Sequence, residues 1–270
     1  MTRVLSGAAL VLVAVALVWF APPPLFFVAA EALLVLAFIE YSRLSAAVGL
    51  PVPAGVCGVA TLAASVGVSS TPWIGGAVAG TAVALDVVLM SAGVVLAAWV
   101  MTSWRGDRDA LGRASAAVFP LLYLGLPVGA LVAIRAMRGP EGLFLLMLTV
   151  MVSDTAQYYT GRLVGRRPLA PAISPTKTIE GAIGGLVFGT LLLVVAGHWW
   201  LPVVPWAVRA VLGAAIVALG IAGDLFESML KRSAGVKDSS SLIPGHGGVL
   251  DRIDALLFAA PVYYIVLKYV

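Results

Sequence analysis

"GAIGGLVFGTLLLVVAG", residues 181–197, carries no charged side chain on any face. A helix on the surface of a soluble protein sets a polar stripe opposite its apolar one. Here there is no such stripe, and seventeen helical residues would extend about 25 Å, most of a bilayer's hydrocarbon core. "VLSGAALVLVAVALVWF" at 4–20 has the same character. With a mean hydropathy of +1.05 and only 11% charged residues, the chain falls among polytopic membrane proteins. At about 17–25 residues per span, nine apolar segments are expected, at 4–20, 25–41, 54–68, 76–102, 114–134, 142–160, 178–197, 205–223 and 249–267. Turn-forming stretches separate them: "APPP" at 21–24, "PVP" at 51–53, "SSTP" at 69–72, "RGDRDALGR" at 105–113 and "RGP" at 138–140. The expected fold is an all-α integral membrane helix bundle of about nine transmembrane helices. It divides into N-terminal helices (1–72), middle helices (73–140) and a C-terminal catalytic region with cytoplasmic loops (141–270). The first segment lacks a small-x-small cleavage site before Pro22 and is expected to be a retained helix. The single cysteine, Cys57, lies in an apolar run and excludes a disulfide framework or thiolate metal site within one chain.

Cation placement orients the bundle. With a cytoplasmic N-terminus, thirteen of the seventeen lysines and arginines fall inside. Only Arg135, Arg138 and Lys268 fall outside, and Arg209 lies within a segment. Two inside connections stand out, 161–177 and 224–248. Seven of the thirteen acids cluster in or beside them: Asp154, Glu180, Asp224, Glu227, Asp238, Asp251 and Asp254.

Carboxylates at the ends of apolar helices are costly unless paired or bound to a cation. On "GDLFESMLKR" (223–232), helical spacing sets Asp224, Ser228 and Lys231 on one stripe with Glu227 beside it. On "LDRIDALL" (250–257), Asp251 and Asp254 share a face near a helix start. Oxygen ligands of this kind suit a hard cation such as Mg²⁺, and no His or Cys cluster favours zinc. Structural pairing with Lys231, Arg232, Lys237 and Arg252 is the bland alternative. "IPGHGGVLDR" (243–252) places glycines before a helix, where backbone N–H groups can approach an anion. In "ISPTKTIEGAIGG" (173–185), Ser174 or Thr176 is expected to cap the next helix, with Lys177 at its N-terminal end and Glu180 in its first turn. Asp86 reads as buried in an apolar segment at a helix or subunit contact, and His198 as an interfacial anchor. Tyr158 and Tyr159 fit a pocket or an interfacial pair, and Glu31 and Glu40 have no partner visible in the sequence.

"SMLKRSAGVKDSSSLIPGHGGVLDRID" (228–254) resembles the signature of phosphatidate cytidylyltransferases, the CDP-diacylglycerol synthases. The match comprises the serine, Lys-Arg, Lys-Asp, Pro-x-His-Gly-Gly and Asp-Arg-x-Asp at the family's spacing. "SDTAQYYTGRLVGRRPLAPAISPTKTIEG" (153–181) is similar to the family's upstream block, with Gln157 and Ile179 as departures. The resemblance covers roughly the C-terminal half. It implies nine membrane helices, a homodimer, and a Mg²⁺ site held by Asp224 and Asp251, with or without a second, monovalent cation. It also implies CTP as cytidylyl donor, phosphatidate as acceptor and a bilayer as setting. By family position Asp224, Asp251, Lys231 and Lys237 are the catalytic set. Ser174, Lys177, Arg232, Asp238, His246, Gly247, Gly248 and Arg252 are the substrate-binding set. No nucleic-acid partner is expected.

The residues also admit rivals. A transporter would place acids at mid-helix in paired broken helices, whereas most acids here sit at helix ends on one face. An ether-lipid cytidylyltransferase or polyprenol kinase shares the phosphate chemistry. CDP-alcohol phosphotransferases are disfavoured by the missing Asp-Gly-x-x-Ala-Arg motif, and a structural scaffold leaves the polar clustering unexplained. Arginine outnumbers lysine thirteen to four, which fits a GC-rich bacterial source. The expected location is therefore a bacterial inner membrane, with N-terminus and active site cytoplasmic.

Overall fold

Prolines and glycines set where the helices start and bend. The computed structural model describes residues 2–69, 84–106, 108–243 and 245–270, with side chains from Gly7 onward. After α1 (Thr2–Phe20), Pro22 is extended (φ −61, ψ 153) and Pro23 opens α2 (Pro23–Ala47), where a missing N–H is no loss. There follow α3 (Ala54–Ser69), α4 (Leu85–Ser103) and α5 (Ala110–Pro120). A π-helical turn (Leu121–Gly125) leads into α6 (Leu126–Val164). A hairpin of β1 (Pro168–Ala170) and β2 (Ser174–Thr178) precedes α7 (Ile179–Trp200), α8 (Trp206–Ser233) and α9 (Leu250–Tyr269). Eight of the nine expected segments fall on helix throughout, apart from Thr178 and Pro205, which immediately precede α7 and α8, and Val249, which precedes α9. Of the fourth, residues 76–83 lie outside the described residues, as do 70–72 of the break before it and the 72/73 division.

Among the described residues five helices are long and apolar enough to cross a membrane: Pro23–Ala47, Leu85–Ser103, the run Ala110–Val164, Ile179–Trp200 and Trp206–Ser233. Their outer faces are greasy, with Met90, Val94 and Val211 each more than 70% exposed. The protein is an all-α membrane helical protein, as its apolar runs require.

The details depart from expectation in four places. Segments five and six belong to one run whose direction breaks at "RGP". Gly139 takes φ +71, which L side chains rarely adopt, just before Pro140. The connection at 161–177 is not all loop: it holds a small antiparallel hairpin, with Pro168 opposite Thr178 and Ala170 opposite Ser174, whose second strand carries the β-branched Thr176 and Thr178. The connection at 224–248 is shorter than expected, because α8 runs on to Ser233 with its charged residues paired. Asp86 is exposed rather than buried, in the first turn of α4, where a carboxylate favours the helix dipole.

Packing forms two apolar clusters. One joins α2, α3, α4, the π turn and the start of α9 around Leu34, Phe38, Leu124 and Leu250. The other joins the end of α1 with α6, α7, α8 and α9 around Ile134, Leu145, Ile216 and Tyr263. The two arginines expected outside are committed to helix ends. Arg135 donates from Nε to the Val18 carbonyl (2.9 Å) and from Nη2 to the Ala21 carbonyl, and its guanidinium lies 4.6 Å from the Phe26 ring centre. Arg138 donates to the Leu267 carbonyl at 2.8 Å, near the end of α9. Carbonyls without intrahelical partners thereby gain cationic donors. At the opposite end of the bundle the polar residues converge.

Candidate active site

Three pieces of chain meet there: the hairpin, the last turns of α8, and the 234–249 connection into α9. The hairpin is pinned by α7. Thr178 is extended, and its hydroxyl accepts the Gly181 N–H at 3.1 Å, making it the N-cap. The expected caps, Ser174 and Thr176, instead lie in β2, too far before the first helical residue to serve. Glu180 accepts the backbone N–H groups of Arg166 and Arg167 at 3.0 and 3.2 Å, closing the hairpin onto α7. So held, Lys177 reaches α8 and forms an ion pair with Asp224.

On α8 the expected stripe is realised. Asp224, Ser228 and Lys231 all face one cavity, with Ser228 Oγ 3.5 Å from Asp224 Oδ1. Glu227 is wholly buried and pairs with Lys231 one turn on, while the same ammonium pairs with Asp251 of α9. Lys231 thus ties α8 to α9. Asp251 is held further: its Oδ2 accepts the Ser239 N–H (2.9 Å), the Ser239 hydroxyl (2.8 Å) and the Gly248 N–H (2.7 Å).

Glu40 of α2 completes the frame. Although 2% exposed, its carboxylate accepts from the Ser239 and Ser240 hydroxyls at 2.8 and 2.6 Å. It also accepts the first N–H groups of α9, Val249 at 2.9 Å and Leu250 at 2.8 Å. The glycine pair follows from this crowding. Gly247 has φ +77, and a Cβ on Gly248 would stand 2.1 Å from Ser239 Oγ and 2.4 Å from both Glu40 oxygens.

The cavity enclosed is about 1200 Å³ and has two characters. At one end stand five carboxylates (Asp154, Asp224, Asp238, Asp251, Asp254) and six bases (Arg162, Lys177, Lys231, Arg232, Lys237, Arg252). The remainder is apolar, walled by α1, α2 and α6 through residues such as Val15, Val18, Phe26, Leu33, Phe144 and Met147. Nine of the twelve site residues expected from sequence line it: Asp224, Asp251, Lys231, Lys237, Ser174, Lys177, Arg232, Asp238 and Arg252. His246, Gly247 and Gly248 are not among the lining residues. His246 lies against α1, where a Cβ on Gly7 would stand 3.0 Å from its Nε2. The expectation that this turn offers free N–H groups to an anion is corrected at three positions. Gly248, Val249 and Leu250 donate to protein carboxylates instead.

Sequence reasoning left Asp154, Asp254 and Glu40 without roles. Asp154 and Asp254 both lie within electrostatic reach of Asp224. Their three-sided arrangement comes from α6, α8 and α9 packing, which periodicity along one helix does not reveal. Tyr158 lines the cavity and accepts from Arg162 at 3.1 Å.

Asp224 and Asp251 offer the right donors for a hard cation. Each is an oxygen ligand already compensated by an ammonium group, and Asp224 Oδ1 has only the long Ser228 contact. Among the described residues no three His, Cys, Asp or Glu side chains form a metal-holding group. Two carboxylates with water and phosphate oxygens is a composition Mg²⁺ takes; Asp224 Oδ1 has room for such an ion, whereas Asp251 would have to exchange its Lys231 contact for it.

Curated proteins similar to this chain include phosphatidate cytidylyltransferases of several bacteria. The chain is 46% identical over 130 residues to the phosphatidate cytidylyltransferase of Haemophilus influenzae, covering 46% of this chain and 45% of the relative. It is 48% identical over 132 residues to that of Synechocystis, covering 47% and 44%. With that of Helicobacter pylori it shares 39% over 156 residues, covering 57% and 58%. The chain thus spans about half the length of the curated relatives it matches. The sequence model of the cytidylyltransferase family, by contrast, matches residues 1–270. The chain belongs to the cytidylyltransferase family.

Proposed function

We propose that this chain transfers the cytidylyl group of CTP to phosphatidate at the cytoplasmic face of a bacterial membrane, giving CDP-diacylglycerol and pyrophosphate. The observation that carries the proposal is one continuous cavity with a charged end and an apolar wall. A reaction between a soluble nucleotide and a lipid phosphate needs both. The excess of cations in the connections on one side supports the orientation. A homodimer and nine membrane crossings complete the proposed arrangement.

In the reaction a phosphate oxygen of phosphatidate attacks the α-phosphorus of CTP. A new P–O–P linkage forms, the α–β bridge breaks, and its electron pair leaves with pyrophosphate. The attacking monoester has a second pKa of about 6, so it is anionic without a strong general base. The chain's task is to hold two mutually repelling anions in line and to balance charge as it builds on the leaving group. Lys177 and Lys231 stand at fixed positions beside Asp224 and Asp251. Arg232, Lys237 and Arg252 supply further positive charge along the same wall. Ser174 and Ser228 offer hydroxyl donors, and α1, α2 and α6 take the acyl chains. Mg²⁺ held by Asp224 and Asp251 would supply charge neutralisation on the phosphates.

The test is conversion of phosphatidate and radiolabelled CTP to CDP-diacylglycerol in detergent, with Mg²⁺ or EDTA, for wild type and Asp251→Asn. Mg²⁺-dependent product from wild type, lost in a folded Asp251→Asn, is the expected result. No product from folded wild type with any phosphatidate would overturn the substrate assignment, and full activity in the variant would overturn the metal assignment.

A further inference from the structure

Glu40 lies in α2, two hundred residues from the charged C-terminal connection, and does not line the cavity. Yet each of its oxygens accepts one serine hydroxyl and one helix-end N–H: Oε1 from Ser240 and Val249, Oε2 from Ser239 and Leu250. Four donors around one buried carboxylate leave it no freedom to turn. The two N–H groups belong to the start of α9, where backbone donors lack intrahelical acceptors and the helix dipole favours a negative charge.

Ser239 carries the effect onward. Its Oγ lies 2.8 Å from Glu40 Oε2 and 2.8 Å from Asp251 Oδ2, so one hydroxyl proton serves two carboxylates. Its own N–H donates to Asp251 as well. Asp251 in turn pairs with Lys231, and both line the cavity. The contacts therefore run without a gap from Glu40 through Ser239 to Asp251 and Lys231. Gly248 lies so close to Glu40 that any side chain there would displace the carboxylate.

We infer that Glu40 is a positioning residue for the reaction. Through Ser239 and the first turn of α9 it sets where Asp251 stands, which makes the N-terminal helices part of the catalytic unit. The inference rests on the cytidylyl-transfer reading only for which reaction is affected. The contacts themselves do not depend on it.

The test compares Glu40→Gln with Glu31→Gln in the full-length chain. Glu31 is the other acid of α2 and accepts from Ser65 on α3, so it controls for the loss of a carboxylate in the same helix. In Glu40→Gln the new amide nitrogen would face a backbone N–H, losing that bond, and a serine hydroxyl, which would have to turn from donor to acceptor. Hydrogen exchange read by mass spectrometry should show amides in 239–250 exchanging at least about 10-fold faster in Glu40→Gln. In Glu31→Gln they should match wild type. For CTP and phosphatidate, kcat per folded molecule should fall about 10–100-fold in Glu40→Gln, the usual range for groups that orient a ligating side chain. Ser240→Ala, which removes one half-exposed donor, should raise exchange by a few-fold (~3) through one bond, and stands in if Glu40→Gln does not fold.

Unchanged exchange in 239–250 would overturn the inference. So would normal kcat in a Glu40→Gln whose segment exchanges faster, since the contact would then serve folding alone. Inactive wild type would remove the cytidylyl-transfer reading, while the exchange comparison would still decide whether Glu40 holds this segment.

Discussion

Replacing Lys231 by methionine should damage stability and catalysis by separate routes, and a second substitution should pull them apart. Lys231 is 8% exposed, between Glu227, which is wholly buried, and Asp251. Asp251 keeps two backbone N–H donors, and the Ser239 hydroxyl that it shares with Glu40, when the ammonium is removed. Among the described residues Glu227 keeps none, because its two oxygens have no hydrogen-bond partner there apart from that ion pair. Removing one partner of a buried pair costs about 3–5 kcal/mol, whereas replacing both by apolar side chains of similar volume is about neutral. Lys231→Met should therefore lose about 3–5 kcal/mol. Lys231→Met with Glu227→Met should recover to within about 1 kcal/mol of wild type. Unfolding in a fixed detergent gives the stabilities, and CDP-diacylglycerol formation gives the activities. Both variants should be at least about 100-fold slower, the scale for removing a charge that stabilises a transition state. If the double variant is no more stable than the single, Glu227 is not the source of the cost. If it is active, Lys231 is structural and its assignment to the phosphates fails.

The Lys177–Asp224 pair should behave in the opposite way. Its side chains are 22% and 33% exposed, so Lys177→Ala should cost no more than about 1 kcal/mol, while Asp224→Asn, which strands a buried Lys177 Nζ with no hydrogen-bond partner among the described residues, should cost about 1–3 kcal/mol. Both should lose about 100-fold or more in kcat. A large loss of stability in either would show the pair to be a strut. At the far end of the bundle, Arg135→Met removes two hydrogen bonds to carbonyls and the contact with Phe26. It should cost about 2–4 kcal/mol with KM for CTP unchanged, and a raised KM with normal stability would count against that role.

The sequence announces the parts of this site that are periodic or contiguous. Uncharged runs such as 181–197 specify membrane helices because no polar stripe exists to face water. The i, i+4 and i, i+3 spacing of Asp224, Ser228 and Lys231 places them on one wall whatever the tertiary fold. The β-branched Thr176 and Thr178 hold a strand signal too, easily passed over because a membrane helix bundle offers no sheet to join. The cap of α7 lies two and four residues beyond the expected ones because three hydroxyl residues, Ser174, Thr176 and Thr178, alternate along one extended strand. Only the one adjoining the first helical turn can reach its N–H groups.

What sequence could not show is which charges meet across helices. The pairings Lys177–Asp224 and Lys231–Asp251 and the approach of Asp154 to Asp224 depend on how α6, α8 and α9 pack. No spacing rule links them. Glu40 is the sharpest case: an acid in a largely apolar helix, whose nearest opposite charge in sequence is Arg43, three residues on. Its meaning lies in two serines and a helix start about two hundred residues later. A lone carboxylate in a greasy segment is too costly to keep without partners, so its presence alone implies a set of donors elsewhere in the fold. The run of three serines before Pro-x-His-Gly-Gly was the available source. Small hydroxyl side chains and glycines let backbone and carboxylate approach closely, and that closeness is what the local sequence was specifying.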